Sequence, residues 1–167
     1  MIFGRMKKAQ INHNCTPYIL GFSGLIPFFI SVFFYYWWLD KFFLKIAVTY
    51  GAIILTFVGS VYWGIALIKN IKPILKKRLY FFSVIPAIFG WLSTLIPTIY
   101  GLVVLFFCFA SLHCIERKLC LILEIPAWYI KLRLILTIIV CFVLLGGILM
   151  YDATFLKINS LFHEEVL

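Results

Sequence analysis

Few residues of this chain could do chemistry, and their spacing matches none of the common catalytic or metal-binding motifs. The histidines, at positions 13, 113 and 163, form no H-E-x-x-H motif, and there is no G-x-S-x-G elbow or Walker loop. The five cysteines include no C-x-x-C pair, and their odd number and scattered spacing argue against both a zinc site and a disulfide framework. We therefore expect no catalytic group, no metal and no cofactor, and we predict that the protein is not an enzyme.

The composition is that of an integral membrane protein. Hydrophobic residues make up 65% of the chain and charged residues only 13%, whereas a soluble domain is about 45–50% apolar and about 25% charged. The 167 residues allow about five spanning helices of about 20 residues each. The net charge of +9 is explained by basic loops at one membrane face, so we expect a lipid bilayer and no nucleic acid as partner.

Charged residues mark the loops between the predicted helices. Uncharged stretches cover residues 9–39, 46–68, 79–115 and 134–151. The third would be about 55 Å long as one helix, so we divide it near Pro97, which suits a helix start. The sequence predicts an all-α polytopic transmembrane bundle, with residues 1–167 as a single domain and helices at approximately 17–39, 46–68, 79–95, 98–115 and 133–151.

The distribution of basic residues predicts the orientation of this bundle. With five spans, the N-terminal side carries three basic residues before the first helix, five in residues 69–78 and four in residues 116–133. The other side carries three, at Lys41, Lys45 and Lys157. Because Lys and Arg accumulate in cytoplasmic loops, we predict the N-terminus inside and the C-terminus outside.

Helix packing and kinks are expected at two kinds of position. Pro27 and Pro86 each remove a backbone hydrogen bond within a predicted span and are expected to kink it. The second helix carries a ladder of small residues at i, i+4 spacing, which would let two helices approach closely: Ala52, Thr56, Ser60 and Gly64.

Most of the candidate ligand or interface residues lie on the predicted inner side; Trp91, toward the other end of the predicted helix 79–95, is a further candidate. Aromatic rings prefer the headgroup level, and the aromatic candidates are Tyr62, Trp63, Trp91 and Trp128. Residues 116–133 resemble a segment lying in the interface. Within it Arg133 could pair with Glu116 or Glu124, or anchor a ligand. A basic cluster is expected to contact anionic lipid: Lys69, Lys72, Lys76, Lys77 and Arg78.

Several strings of this sequence resemble an uncharacterised family of membrane proteins, a domain of unknown function that includes human transmembrane protein 69 and short bacterial inner-membrane proteins. The strings that carry the resemblance are Leu20-Gly21, Gly24–Phe28, Tyr50–Gly64, Ser83–Pro86, Gly90-Trp91, Pro126–Tyr129, Leu132-Arg133 and Leu136-Thr137. Tyr62 stands where the family often has a histidine, which argues against a metal or haem at that position. The resemblance implies a five-span protein of a bacterial inner (cytoplasmic) membrane or, alternatively, of the mitochondrial inner membrane.

Two functions remain open from the sequence. Small size, the absence of catalytic groups and the small-residue ladder favour a non-enzymatic structural, assembly or accessory component of a membrane complex, with other membrane-protein subunits as partners. Alternatively, kinked helices beside Tyr62, Trp63 and Arg133 favour a site that binds or transports a lipid or quinone.

Overall fold

A computed structural model describes residues 15–164, with the side chains of residues 15–120 and 122–154. This part of the chain is helical and contains no strand. The helices are α1 (Thr16–Ser23), α2 (Ile26–Trp38), α3 (Lys41–Ile68), α4 (Pro73–Leu95), α5 (Thr98–Leu123) and α6 (Ala127–Glu164). Among the described residues, five stretches are long and apolar enough to cross a membrane, α1 and α2 together forming the first. The predicted all-α bundle of five spans is confirmed.

The helices extend further into the charged loops than the sequence predicted. α3 begins at Lys41, α4 begins at Pro73 and α5 continues to Leu123. Lys, Arg and Glu are good helix formers, and their long side chains reach water from a helix end, so charge alone does not end a helix. Residues 116–133, which the sequence predicted as a segment lying in the interface, form no separate element: they consist of two helix ends joined at residues 124–126.

The first span is interrupted at Gly24 and Leu25, between α1 and α2. Pro27 lies in the first turn of α2, so it begins a second helix instead of kinking a continuous one. The amide of Phe28 bonds the carbonyl of Leu25, which leaves the Gly24 carbonyl without a helical donor. The hydroxyl of Tyr50 on α3 donates to that carbonyl at 3.0 Å, which satisfies a backbone group that would be costly in hydrocarbon.

The two halves of the first span differ in their packing partners only at α3. α2 packs against α3 and α6, whereas α1 packs against α6. α3 lies centrally, in contact with α2, α4 and α5, and α6 also packs against α5. A space between α1 and α3 results, at the end of the bundle where α3 ends and α4 begins. We call this end the basic face, because residues 69–78 lie there.

Close packing of α3 uses glycines that the predicted ladder does not contain. A Cβ on Gly59 would lie 2.8 Å from Cγ of Pro86, which is buried inside α4. Ala52 of the ladder packs against Gly90 of α4. Thr56 and Ser60, however, are exposed, and a Cβ on Gly64 would meet none of the described residues within 4 Å. The four ladder residues therefore do not form one packing face within this chain.

Candidate ligand cavity

A cavity of about 520 Å³ fills the space between α1 and α3. Its floor and walls come from α1, α2, α3, α5 and α6, and most of its lining is apolar. Leu25 and Phe28 line it at the interruption of the first span, and Val58 and Phe109 line it from α3 and α5. A volume between about 300 and 1,000 Å³ with mostly apolar walls is typical of small-molecule sites.

The cavity reaches the surface that faces lipid. Leu20, Phe57 and Trp128 line it, and all three side chains are exposed on the outside of the bundle. The ring of Trp128 also lies 6.1 Å from that of Tyr18 on α1. The opening is therefore lateral, between helices, and a molecule could enter it from the bilayer.

Two polar side chains of α6, Arg133 and Thr137, line the same cavity. They are 8% and 5% exposed, and they lie one helical turn apart. The Arg133 Nη2 and the Thr137 Oγ1 have no hydrogen-bond partner within the described part of the chain. Buried polar groups are nearly always hydrogen-bonded, so these two atoms are candidates for a hydrogen bond to a bound molecule.

Arg133 forms a buried ion pair with a residue of α5. The Arg133 Nε donates to Oε2 of Glu116 on α5 at 3.2 Å, and Glu116 is only 2% exposed. The pairing that the sequence predicted for Arg133 is confirmed, with Glu116 as the partner. Glu124 is instead exposed, and it ends α5 in a left-handed backbone conformation.

Further polar side chains surround this pair. The His113 Nδ1 lies 3.9 Å from Oε2 of Glu116, and both ring nitrogens of His113 are buried without a hydrogen bond in the described chain. Glu116 and Arg133 act electrostatically on the buried hydroxyl of Tyr62 and on Tyr129. Buried polar groups without protein partners are the kind that internal water or a polar ligand head can satisfy.

The depth of the cluster follows from its position along the helices. Tyr62 precedes the end of α3 by six residues, and Arg133 follows the start of α6 by six residues, which is about 9 Å in each case. α3 has 28 residues, about 42 Å, around a hydrocarbon layer of about 30 Å. The cluster therefore lies near the boundary between headgroups and hydrocarbon, on the basic face.

The structure brings together some of the predicted aromatic candidates. Tyr62 is buried beside the ion pair, and Trp128 lines the cavity. Trp63 does not line it; its exposed ring packs edge-on against Tyr80 at 4.9 Å. Trp91 is 62% exposed near the end of α4, at the opposite face of the bundle. The last two therefore belong to the lipid-facing surface.

The predicted cluster of lipid-binding basic residues also has members in different environments. Lys69 donates to the carbonyl of Leu123 and so joins the ends of α3 and α5. Lys72 precedes α4, and the other three basic residues lie in its first turns, with Lys72, Lys77 and Arg78 exposed. These exposed residues remain the candidates for contact with anionic headgroups.

Sequence reasoning placed neither Thr137 nor His113 in a ligand site. A single threonine in an apolar helix is more often bonded to its own backbone, and a single interfacial histidine needs no partner. One signal was present: Thr137 follows Arg133 by four residues, which places both on one face of a helix.

Comparison with known proteins gives one family. A family model described as "Protein of unknown function (DUF3429)" matches residues 14–149. Transmembrane protein 69 of Xenopus tropicalis is 33% identical over 138 residues, which cover 78% of this chain and 52% of that protein. The chain thus spans about half the length of the curated relative it matches. No solved structure matches it.

Proposed function

This chain belongs to the DUF3429 family of membrane proteins of unknown function, and from that premise we propose that it binds a lipid-like small molecule within the bilayer. A single observation carries the proposal: an apolar cavity that opens toward lipid is lined on one wall by Arg133 and Thr137, whose buried Nη2 and Oγ1 atoms have no hydrogen-bond partner in the described part of the chain. The apolar walls suit a hydrocarbon chain, and the two polar groups suit its head.

Residue strings that carry the family resemblance support this assignment. Leu20-Gly21 and Gly24-Leu25 line the cavity from the interrupted first span, and Trp128-Tyr129, Leu132-Arg133 and Leu136-Thr137 line it from α6. Discontinuous membrane helices commonly border substrate sites, because unwound backbone is tolerated where it lines a cavity.

The test compares two substitutions of equal size. Val61→Phe fills the cavity that Val61 lines, whereas Val84→Phe adds the same volume on the exposed side of α4. The full chain and both variants are purified from the native membrane in mild detergent, and retained small molecules are identified by mass spectrometry. We expect a defined molecule with the wild type and Val84→Phe, and its loss with Val61→Phe. Equal retention by both variants would count against a ligand in this cavity.

A second candidate function is an accessory subunit of a membrane complex, at a bacterial or mitochondrial inner membrane. Thr56 and Ser60 point out of the bundle, and the space beside Gly64 is open. Small residues on the outside of a helix allow another helix to approach closely in lipid. Ser60→Trp would then release a stoichiometric partner during purification, whereas Phe57→Trp, a change from one exposed ring to another, would retain it. Recovery of the same partner with Ser60→Trp would exclude this surface.

A further inference from the structure

We infer that the bound molecule presents an uncharged carbonyl group, such as an ester or a quinone carbonyl, to Arg133 and Thr137, and not a phosphate or carboxylate. This inference rests on the proposed function and concerns the chemistry of the ligand head.

The charge balance of the cavity disfavours an anionic ligand head. Among the described lining residues, Arg133 is the one with a charged side chain, and Glu116 already compensates it through a contact of 3.2 Å. A second anion at Arg133 would leave the buried cluster with an uncompensated negative charge. Burying such a charge is costly, whereas a carbonyl oxygen adds none.

Two hydrogen-bond donors remain for the ligand head. With Nε bonded to Glu116, Arg133 retains Nη2 as a buried donor without a partner in the described chain, and Thr137 retains its hydroxyl. Both line the cavity from consecutive turns of α6. A carbonyl oxygen has two lone pairs and can accept from two such donors.

The depth of Arg133 in the membrane also favours a carbonyl group. Arg133 lies near the level at which lipid headgroups give way to hydrocarbon, and the cavity opens toward lipid beside Leu20 and Phe57. Ester carbonyls and membrane-dissolved quinones can reach this level. Anionic headgroups lie farther out, where the exposed Lys72, Lys77 and Arg78 can contact them.

The test uses two quenchers that differ only in their head. The full chain retains Trp128 as its single tryptophan, with the other four replaced by Phe, and is titrated with a nitroxide-labelled fatty acid methyl ester or with the free acid at about pH 9, where the acid is ionised. A second protein retains only Trp91, which faces lipid away from the cavity, and reports quenching by partition into the detergent micelle.

We expect the methyl ester to quench Trp128 at a concentration on the order of tenfold lower than the free acid does, with no such preference at Trp91. Thr137→Val removes one donor with little change of shape, and we expect it to weaken the ester several-fold without affecting the free acid. Glu116→Gln leaves Arg133 uncompensated, and we expect it to reverse the preference toward the acid.

The outcomes separate the two levels of inference. Tighter binding of the free acid at Trp128, or insensitivity of the ester to Thr137→Val, overturns the uncharged head but leaves a ligand cavity in place. Quenching of Trp128 no stronger than that of Trp91 with either probe overturns the proposed function itself. Competition by dioctanoylglycerol or by decyl-benzoquinone then shows whether the carbonyl belongs to a glycerolipid ester or to a quinone, and displacement by neither overturns the inference.

Discussion

Arg133 and Glu116 form a charged pair that is almost fully buried within the bundle, and charged side chains are seldom fully buried unless they are paired. A buried ion pair adds little net stability, because desolvation of the two ions offsets their attraction. Removing one partner is different, since it leaves the other charge buried alone. The pair is therefore best understood as a means of holding the guanidinium at the cavity wall.

This asymmetry gives a prediction for the arginine. We expect Arg133→Met to lower the free energy of unfolding by about 3–5 kcal/mol, because Glu116 is left buried without its partner. Lys131→Met, which removes an exposed positive charge two residues away on the same helix, is expected to change it by less than about 0.5 kcal/mol. Unfolding by SDS in mixed micelles measures both. Equal effects would show that the pair is not buried as described.

The interrupted first span borders the cavity, because α2 packs against both α3 and α6, whereas α1 packs mainly against α6. Its geometry depends on Pro27, which begins α2, and on Tyr50, which bonds the Gly24 carbonyl at 3.0 Å. The ring of Tyr50 also packs edge-on against Phe28 at 5.1 Å. The hydroxyl therefore acts on a backbone group while the ring contributes to the core.

Removing that hydroxyl tests the interruption. We expect Tyr50→Phe to lower the free energy of unfolding by about 1 kcal/mol, because it leaves the Gly24 carbonyl without its donor. Tyr100→Phe is the control, since its side chain is exposed at the other end of the bundle. Thermal unfolding followed by circular dichroism compares the two. A shift no larger than that of the control would mean that the carbonyl finds another donor.

The contact between α3 and α4 gives a second prediction for an element. A Cβ at Gly59 would meet Pro86 Cγ at 2.8 Å and the Ser83 carbonyl oxygen at 3.0 Å. We expect Gly59→Ala to destabilise the bundle by about 1–3 kcal/mol through overpacking. Gly64→Ala, five residues later on the same helix, meets none of the described residues within 4 Å and should stabilise the helix by up to about 1 kcal/mol. The SDS assay would contradict the described contact if both variants moved in the same direction.

The whole molecule is asymmetric between its two faces. The polar cluster lies toward the basic face, as do Lys69, Lys72 and the basic residues of the first turns of α4. Leu39, which has a left-handed conformation, and Asp40 join α2 to α3 at the opposite face. A ligand at the cluster would therefore lie in the leaflet on the side of the basic face.

The positive-inside rule gives a prediction for the whole chain. Because most of the basic residues belong to the N-terminal side, we expect the basic face to lie on the cytoplasmic side, or on the matrix side in a mitochondrion. A reporter fused after Leu167 should then be active outside, and one inserted between Asn70 and Ile71 should be active inside. A cytoplasmic signal from the fusion at Leu167 would exclude this orientation.

The sequence by itself determined the membrane setting, the five spans and the family, because hydrophobic length, charge spacing and motif strings are local properties that need no partner helix. It also identified Arg133 as a residue in need of a partner. It misplaced the helix ends, since Lys41 and Lys118 lie in helices despite their charge. The positions of these helix ends depend on helix propensity and on how far a charged side chain can reach toward water, and a count of charges contains neither.

Only the tertiary structure decided which side chains meet. Trp63 and Trp128 look alike in sequence, but α3 turns the first toward lipid while α6 places the second at the cavity. The ladder at Thr56 and Ser60 has the spacing of a packing face, yet Gly59 makes the close contact. The rotation of each helix is set by the neighbouring helix that packs into its grooves. In lipid, the side chains that face another helix are about as apolar as those that face lipid, so the sequence does not show which face packs.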